Sequence, residues 1–224
     1  MKTAAAERIP GFVSGESFPK CYEVERILPA RKPVYAVCKR SFDIAASLLL
    51  GIALLVPMLL IALWIRLDSG GPVLYRQERL GKDGRPFLMY KFRSMVPDAE
   101  REGPRWAEFP DRRCTRAGRF LRLNHLDELP QLWNILIGDM SFVGPRPERE
   151  CFYDRFETDI HGFRHRLAVV PGLTGWAQVN GGYDLLPEEK IVFDMEYIRH
   201  RSAWMDLKCI IRTLRLLCTH GGAR

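Results

Sequence analysis

Between Ile44 and Ile65 the chain reads IAASLLLGIALLVPMLLIALWI, 22 residues without a single charge. As one straight helix this stretch would measure about 33 Å, enough to cross a bilayer core of roughly 30 Å. Pro57 interrupts it. Proline lacks the N–H that a helical bond needs, and its ring crowds the carbonyl four residues back, here that of Ala53, so a kink or break is expected. Each half is then too short to cross alone. Basic residues flank both ends, with Arg26, Arg31, Lys32, Lys39 and Arg40 before the stretch and Arg66, Arg76, Arg79, Lys82 and Arg85 after it. A spanning helix normally leaves its basic flank in the cytosol, so both flanks read as cytosolic. A re-entrant helix that enters, bends at Pro57 and returns meets both observations, provided its freed backbone groups find partners. A Pro-kinked transmembrane helix is the alternative, because proline is tolerated in such helices.

Around this stretch, 224 residues with 47% hydrophobic content suffice for one domain with a core and would be cramped for two. An excess of 34 basic over 27 acidic residues gives a net charge of +7, which favours phosphates, phospholipid head groups or nucleic acid as partners. Nucleic acid is disfavoured, since no recognisable binding module or basic stripe is present. Six scattered cysteines show no metal-ligand spacing and no disulfide framework. The first residues, MKTAAAERIPGF, lack the apolar core of a secretory signal, so the N-terminus is expected to stay in the cytosol.

Downstream, GPVLYRQERL and RPFLMYKFRSM flank GKDG and predict a β-hairpin. Residues 96–113 are polar with three prolines and read as a surface loop. Leu129, Leu132, Trp133, Leu136 and Ile137 recur at helical spacing, with Gly138 as a stop. Two further helical patterns cover about Glu188 to His200 and Trp204 to Leu217. The second mixes apolar residues with Lys208, Arg212 and Arg215, a composition that suits a membrane interface and core packing equally. The expected fold class is α+β, mainly helical.

Asp127 and Glu128 precede the helix LPQLWNILI, where Pro130 costs no helical hydrogen bond. Asp127 at such a place is a ready N-cap. The same place suits chemistry, because a helix N-terminus lowers a carboxyl pKa and attracts phosphate. Positive groups that could serve that chemistry are Lys91 and Arg93 in YKFRSM, Arg122 in GRFLRLNHLDELPQ, and Arg146 in GPRPE, where Pro145 and Pro147 restrict the backbone.

In order along the chain, KRSFD with the proline-broken apolar stretch, GPVLYRQERLGKDGRPFLMYKFRSM, LDELPQLWNILIGDMSFVGPRPE and PGLTGWAQVNG resemble the bacterial sugar transferase family of monotopic polyprenyl-phosphate phosphoglycosyl transferases. The resemblance runs from about Cys38 to Leu217. It implies a lead-in over residues 1–37, a re-entrant membrane helix over 38–67, and a catalytic domain with amphipathic interfacial helices over 68–224. It implies transfer of a sugar 1-phosphate from a UDP-sugar to polyprenol (undecaprenyl) phosphate, releasing UMP and passing through a phosphosugar on Asp127. Such a reaction would initiate exopolysaccharide, O-antigen or glycoprotein glycan synthesis. Glu128 is the second member of the dyad, for positioning or proton transfer. Lys91, Arg122 and Arg146 match phosphate-contacting positions, and Trp176 and Gln178 are expected near the nucleotide. The family's metal is Mg2+, with Asp127 the one ligand candidate.

The same resemblance implies monotopic attachment to the cytoplasmic face of the bacterial inner membrane, with the phospholipid bilayer among the expected partners; the oligomeric state is left open, a homodimer being one option. The short lead-in is read as belonging to a catalytic unit alone. Val56 stands before Pro57 where members commonly have Ser, and Gly182 follows WAQVNG where many have Arg. His125 is left out of the site, and Asp194, Tyr197 and Asp206 are read as structural. A non-catalytic membrane-anchored scaffold is the competing reading, and the intact Asp127–Glu128 pair argues against it.

Overall fold

Pro33 occupies the first turn of helix α1 (Pro33–Ala53), where its missing N–H breaks no helical bond. A computed structural model of the chain describes residues 22–101, 111–181 and 185–219. Ahead of α1, strand β1 (Tyr22–Glu23) opens an extended segment that is tied down by Arg201 donating to Ala30 O and Lys32 donating to Arg201 O, both at 2.9 Å. The expected lead-in boundary at residue 37 therefore falls inside a helix, and residues 22–32 are held by the body of the protein. Residues 1–21 lie outside the described part.

The break in the apolar stretch sits at Leu54, three residues before Pro57. Helix α2 (Leu55–Ser69) follows at 61° to α1. Pro57 thus lands in the first turn of α2, where its lost donor has no intrahelical partner. Leu54 N–H still donates to Leu50 O at 2.8 Å and Met58 N–H to Leu54 O at 2.9 Å, so the bend leaves few groups unsatisfied. No single described helix is long and apolar enough to cross a membrane, while the bent pair qualifies by length and composition.

The pair is inside-out relative to a soluble core. Leu49, Ile52, Val56, Leu59, Leu60 and Leu67 are each more than 60% exposed, whereas Asp43 and Ser47 are buried. Covering a side chain of this kind is favourable by about 1.5–3 kcal/mol.

Both ends of the pair are fastened to the same body. On α1, Arg40 donates to Ile135 O at 2.6 Å and Leu136 O at 2.7 Å, Asp43 accepts Phe142 N–H at 3.1 Å, and Lys39 pairs with Asp206 at 2.8 Å. Beyond α2, Arg93 donates to Ser69 Oγ at 2.7 Å and to Gly70 O. Asp68 accepts Ala117 N–H at 3.0 Å, in the first turn of α3 (Arg116–Leu123), and Thr115 caps the same turn through Gly118 N–H.

The hairpin forms as expected. Strand β2 (Leu74–Leu80) pairs antiparallel with β3 (Pro86–Phe92), Leu74 opposite Phe92 and Leu80 opposite Pro86. Helix α4 (Gln131–Ile137) ends at Gly138 in the left-handed conformation. Strand β4 (Ser141–Val143) leads to α5 (Glu150–Asp159) and β5 (Ile160–His161), the latter parallel to β1. Strand β6 (Gly172–Thr174) lies parallel to β4. Their approach is close enough that a Cβ on Gly172 would sit 2.1 Å from Gly144 N. Helices α6 (Trp176–Gly181), α7 (Pro187–His200) and α8 (Ala203–Thr219) follow, the last two near their expected bounds. The largest core unites Tyr153, Phe163, Ile198, Met205 and Cys209 from α5, α7, α8 and the segment between β5 and β6.

The apolar periodicity of α4 corrects one expectation. Trp133 and Ile137 face outward, while Gln131 and Asn134 are buried. Asn134 is buried because it staples β3: it accepts Tyr90 N–H at 3.1 Å and donates to Leu88 O at 2.7 Å.

Candidate active site

Asp127 and Glu128 lie in a separate 3-10 turn, Leu126–Glu128, ahead of α4. The cap position of α4 is Pro130, so Asp127 does not cap that helix. The turn is entered through His125, a non-glycine residue with φ of 55°, a conformation that costs energy and concentrates at functional sites. Both carboxylates are more than 90% buried.

Their partners differ. Glu128 Oε1 accepts Lys91 Nζ at 2.8 Å and Arg146 Nη2, and Oε2 accepts Arg146 Nη1 at 3.4 Å. Lys91 arrives on β3, the strand that Asn134 holds, and Arg146 on the proline-flanked loop after β4. Among the described residues no side chain donates to Asp127; its charged neighbours are Lys91, Glu128, Arg122 and Arg146. Burial would raise the Glu128 carboxyl, but the charges of Arg146 and Lys91 and their hydrogen bonds outweigh it and hold the group well below the usual range. Burial pushes Asp127 up; Lys91 opposes that, Glu128 adds to it, and the net shift is upward. Two adjacent acids are thereby separated, one locked as an ion pair and one left with a poorly solvated charge, the pattern by which acid, base and nucleophile roles are divided.

The other expected site residues are distributed unevenly. Arg122, in the last turn of α3, contributes its charge to Asp127. Gln178 sits one carbonyl away from Arg146: both donate to Leu173 O at 3.5 Å. Trp176 is engaged elsewhere, its indole N–H donating to Glu196 at 2.9 Å and its face lying under Arg212 at 4.7 Å. Arg93 serves the end of α2 and does not meet the acids. Gly182 lies outside the described residues. Asn134 was legible only as a polar residue inside an apolar pattern. Arg166, whose buried pair with Asp194 at 2.6 Å backs the Arg146 loop, was not singled out in the sequence, whereas Asp194 was read there as structural.

No group of three or more acidic, His or Cys side chains suited to a metal occurs among the described residues. Of the two site acids, it is Asp127 whose carboxylate oxygens receive no side-chain donor among the described residues. That donor set fits a hard cation held by one carboxylate, with phosphate oxygens and water completing its shell.

Residues 34–220 match the family model described as bacterial sugar transferase. The UDP-N-acetylgalactosamine-undecaprenyl-phosphate N-acetylgalactosaminephosphotransferase of Aeromonas hydrophila is 43% identical over 202 residues, 88% of this chain and 47% of that protein. The UDP-glucose:undecaprenyl-phosphate glucose-1-phosphate transferase of Escherichia coli K12 is 41% identical over 186 residues, 81% of this chain and 40% of that protein. A protein of the same description from Caulobacter vibrioides is 44% identical over 193 residues, 83% of this chain and 71% of that one. The chain thus spans less than half of the first two relatives, and the aligned part contains the whole cluster around Asp127 and Glu128. With the family model covering most of its length, the chain belongs to the bacterial sugar transferase family.

Proposed function

We propose that the chain transfers a sugar 1-phosphate from a UDP-sugar to undecaprenyl phosphate, with Asp127 as the nucleophile. The observation that carries this reading is the contrast within the buried acid pair: Glu128 is held by Lys91 and Arg146, while no side chain among the described residues donates to Asp127. An Asp127 oxygen attacks the β-phosphorus, the bond from that phosphorus to the bridging oxygen breaks, and UMP departs. An oxygen of the acceptor phosphate then attacks the same phosphorus and frees the Asp127 carboxylate, leaving a polyprenyl-diphosphate sugar. Lys91, Arg122 and Arg146 screen the repulsion between anionic nucleophile and anionic phosphate. Glu128 keeps Lys91 and Arg146 aimed at the turn; a carboxyl held so far below its usual range is a poor proton carrier, which favours the positioning role over proton transfer.

Magnesium bound at Asp127 would supply charge neutralisation of the diphosphate and of the departing UMP. Gln178, one carbonyl from Arg146, is a nucleotide contact in this reading, whereas the bonds of Trp176 to Glu196 and Arg212 favour a packing role.

The membrane reading rests on the bent pair. The arms from Ile44 to Ala53 and from Leu55 to Ile65 would each reach only about 15–17 Å, roughly half a bilayer core. Because Arg40 and Asp43 at one end and Asp68 and Ser69 at the other hold the same body, both ends stay on one side. This supports a re-entrant, monotopic attachment at the cytoplasmic face of the inner membrane. The exposed Trp204, Leu207, Leu214 and Leu217 of α8 suit an interfacial position.

The test is to incubate the purified protein in lipid discs with magnesium and a panel of UDP-sugars, following UMP release and the intact mass. Wild type gains the mass of one sugar phosphate and passes it to polyprenol phosphate, while Asp127→Asn does neither. Normal turnover by Asp127→Asn, or no UMP from any UDP-sugar, would sink the reading.

A further inference from the structure

Arg146 reaches Glu128 from a loop, Pro145 to Glu148, that has little of its own to fix it. Pro145 and Pro147 have no N–H to give, and the loop joins β4 to α5 outside any strand pairing. Yet all four carbonyls in succession are engaged. Pro145 O accepts Gly172 N–H at 2.9 Å, Arg146 O accepts Arg166 Nη2 at 3.0 Å, Pro147 O accepts Arg79 Nη1 at 3.3 Å, and Glu148 O accepts Leu80 N–H at 3.1 Å. Two of the four donors are guanidinium groups from distant parts of the chain.

Each guanidinium is itself fixed. Arg79 donates a second bond to Glu148 Oε2 at 3.0 Å. Arg166 pairs with Asp194 at 2.6 Å, with side chains 2% and 1% exposed, and lies over the Phe163 ring at 5.0 Å. A fully buried ion pair is a poor way to hold a fold together, because apolar side chains of the same volume often serve as well. Apolar side chains cannot, however, donate to the main-chain carbonyl of Arg146. One terminal nitrogen does both in each residue: Nη2 of Arg166 meets Arg146 O and the Asp194 carboxylate, and Nη1 of Arg79 meets Pro147 O and the Glu148 carboxylate.

We propose that Arg166 and Arg79 are positioning residues that clamp the carbonyls of the Pro145–Glu148 loop and thereby fix the reach of Arg146 to the catalytic turn. The importance of Arg146 to turnover rests on the function proposed above; the clamp itself does not. Lysine at either position keeps the charge that Asp194 or Glu148 faces, but its shorter stem ends before the place of that terminal nitrogen and gives up the loop carbonyl.

The experiment uses the full chain in lipid discs, with Arg166→Lys and Arg79→Lys followed by hydrogen exchange and by UMP release. Exchange at Leu80 and Gly172, whose N–H groups end on the loop, rises about tenfold or more in both variants while α7 keeps its wild-type rate. UMP release by Arg166→Lys falls on the order of a hundredfold, as expected for a misplaced contact. Added to Arg146→Ala, Arg166→Lys causes no further loss, because the two act through one contact. Unchanged exchange at Leu80 and Gly172, exchange that rises through α7 as well, or a fully additive loss with Arg146→Ala would each overturn the clamp. A wild type that releases no UMP from any UDP-sugar would defeat the enzymatic reading and leave the exchange result to decide the clamp.

Discussion

At the scale of single residues, the separation of Asp127 from Glu128 has consequences for stability as well as chemistry. Glu128 has its folded carboxyl below the unfolded value. Its contribution is complete above the ordinary carboxyl range near ~4.3 and disappears as pH falls through the folded value. Glu128→Gln removes the charge that Lys91 and Arg146 face and should cost roughly 1–3 kcal/mol at neutral pH. Denaturant titrations at neutral pH and below pH ~4 should find that cost shrinking in acid.

Asp127 has the opposite sign. Its folded carboxyl lies above the unfolded value, so its charge opposes folding increasingly as pH rises from the ordinary range through the folded value. With magnesium chelated, Asp127→Asn should melt above wild type at neutral pH, by about 2–4 °C for each kcal/mol recovered. The gain should vanish in acid. Equal melting temperatures at neutral pH would contradict the upward shift. LDELPQ marks these two acids as candidates; the difference in their surroundings could not be read there, because it depends on Lys91 and Arg146, brought together only by the fold.

At the scale of elements, the hairpin around GKDG, the broken helix and the two C-terminal helices were legible because each carries a periodic pattern closed by Gly, Pro or a change of charge. The pairing of β4 with β6 was not: three residues per strand show no period, and the requirement for Gly172 comes from the neighbouring Gly144. Helix α4 misled in another way, since its apolar spacing includes Trp133 and Ile137, which face outward beside a buried Asn134. Hydrophobic spacing tells which side is apolar, and only burial tells what that side meets.

The anchor of α1 can be tested at this same scale. Asp43, 3% exposed, accepts Phe142 N–H next to the Arg40 bonds to the end of α4. Asp43→Ala leaves that N–H without its acceptor, and a loss of about 1–3 kcal/mol is expected by denaturant titration. A loss near zero would mean that α1 is held by its other contacts.

For the whole molecule, the proposed membrane attachment joins a net charge of +7 to the outward apolar face of the bent pair. Binding to vesicles should be tighter with anionic than with neutral lipid and should weaken with salt. Leu59→Asp with Leu60→Asp, both side chains more than 60% exposed, should abolish binding in sedimentation assays without lowering the melting temperature of the body. Binding that survives would place the membrane contact elsewhere. The arrangement of the body was the least legible level. Arg79, Arg166 and Asp194 are spread over more than a hundred residues of sequence, and their convergence behind Arg146 is a property of packing alone.

The bend at Leu54 carries one more consequence. A chevron that enters from one face and turns back near the midplane adds cross-sectional area to the near leaflet and none to the far one. Lipid under that asymmetry relaxes by curving toward the protein's side, and a surface already curved that way has packing defects ready to receive the wedge. In the re-entrant attachment proposed above, the 61° angle makes membrane shape a variable of binding: at equal lipid area and composition, small vesicles should capture more of this protein than large ones.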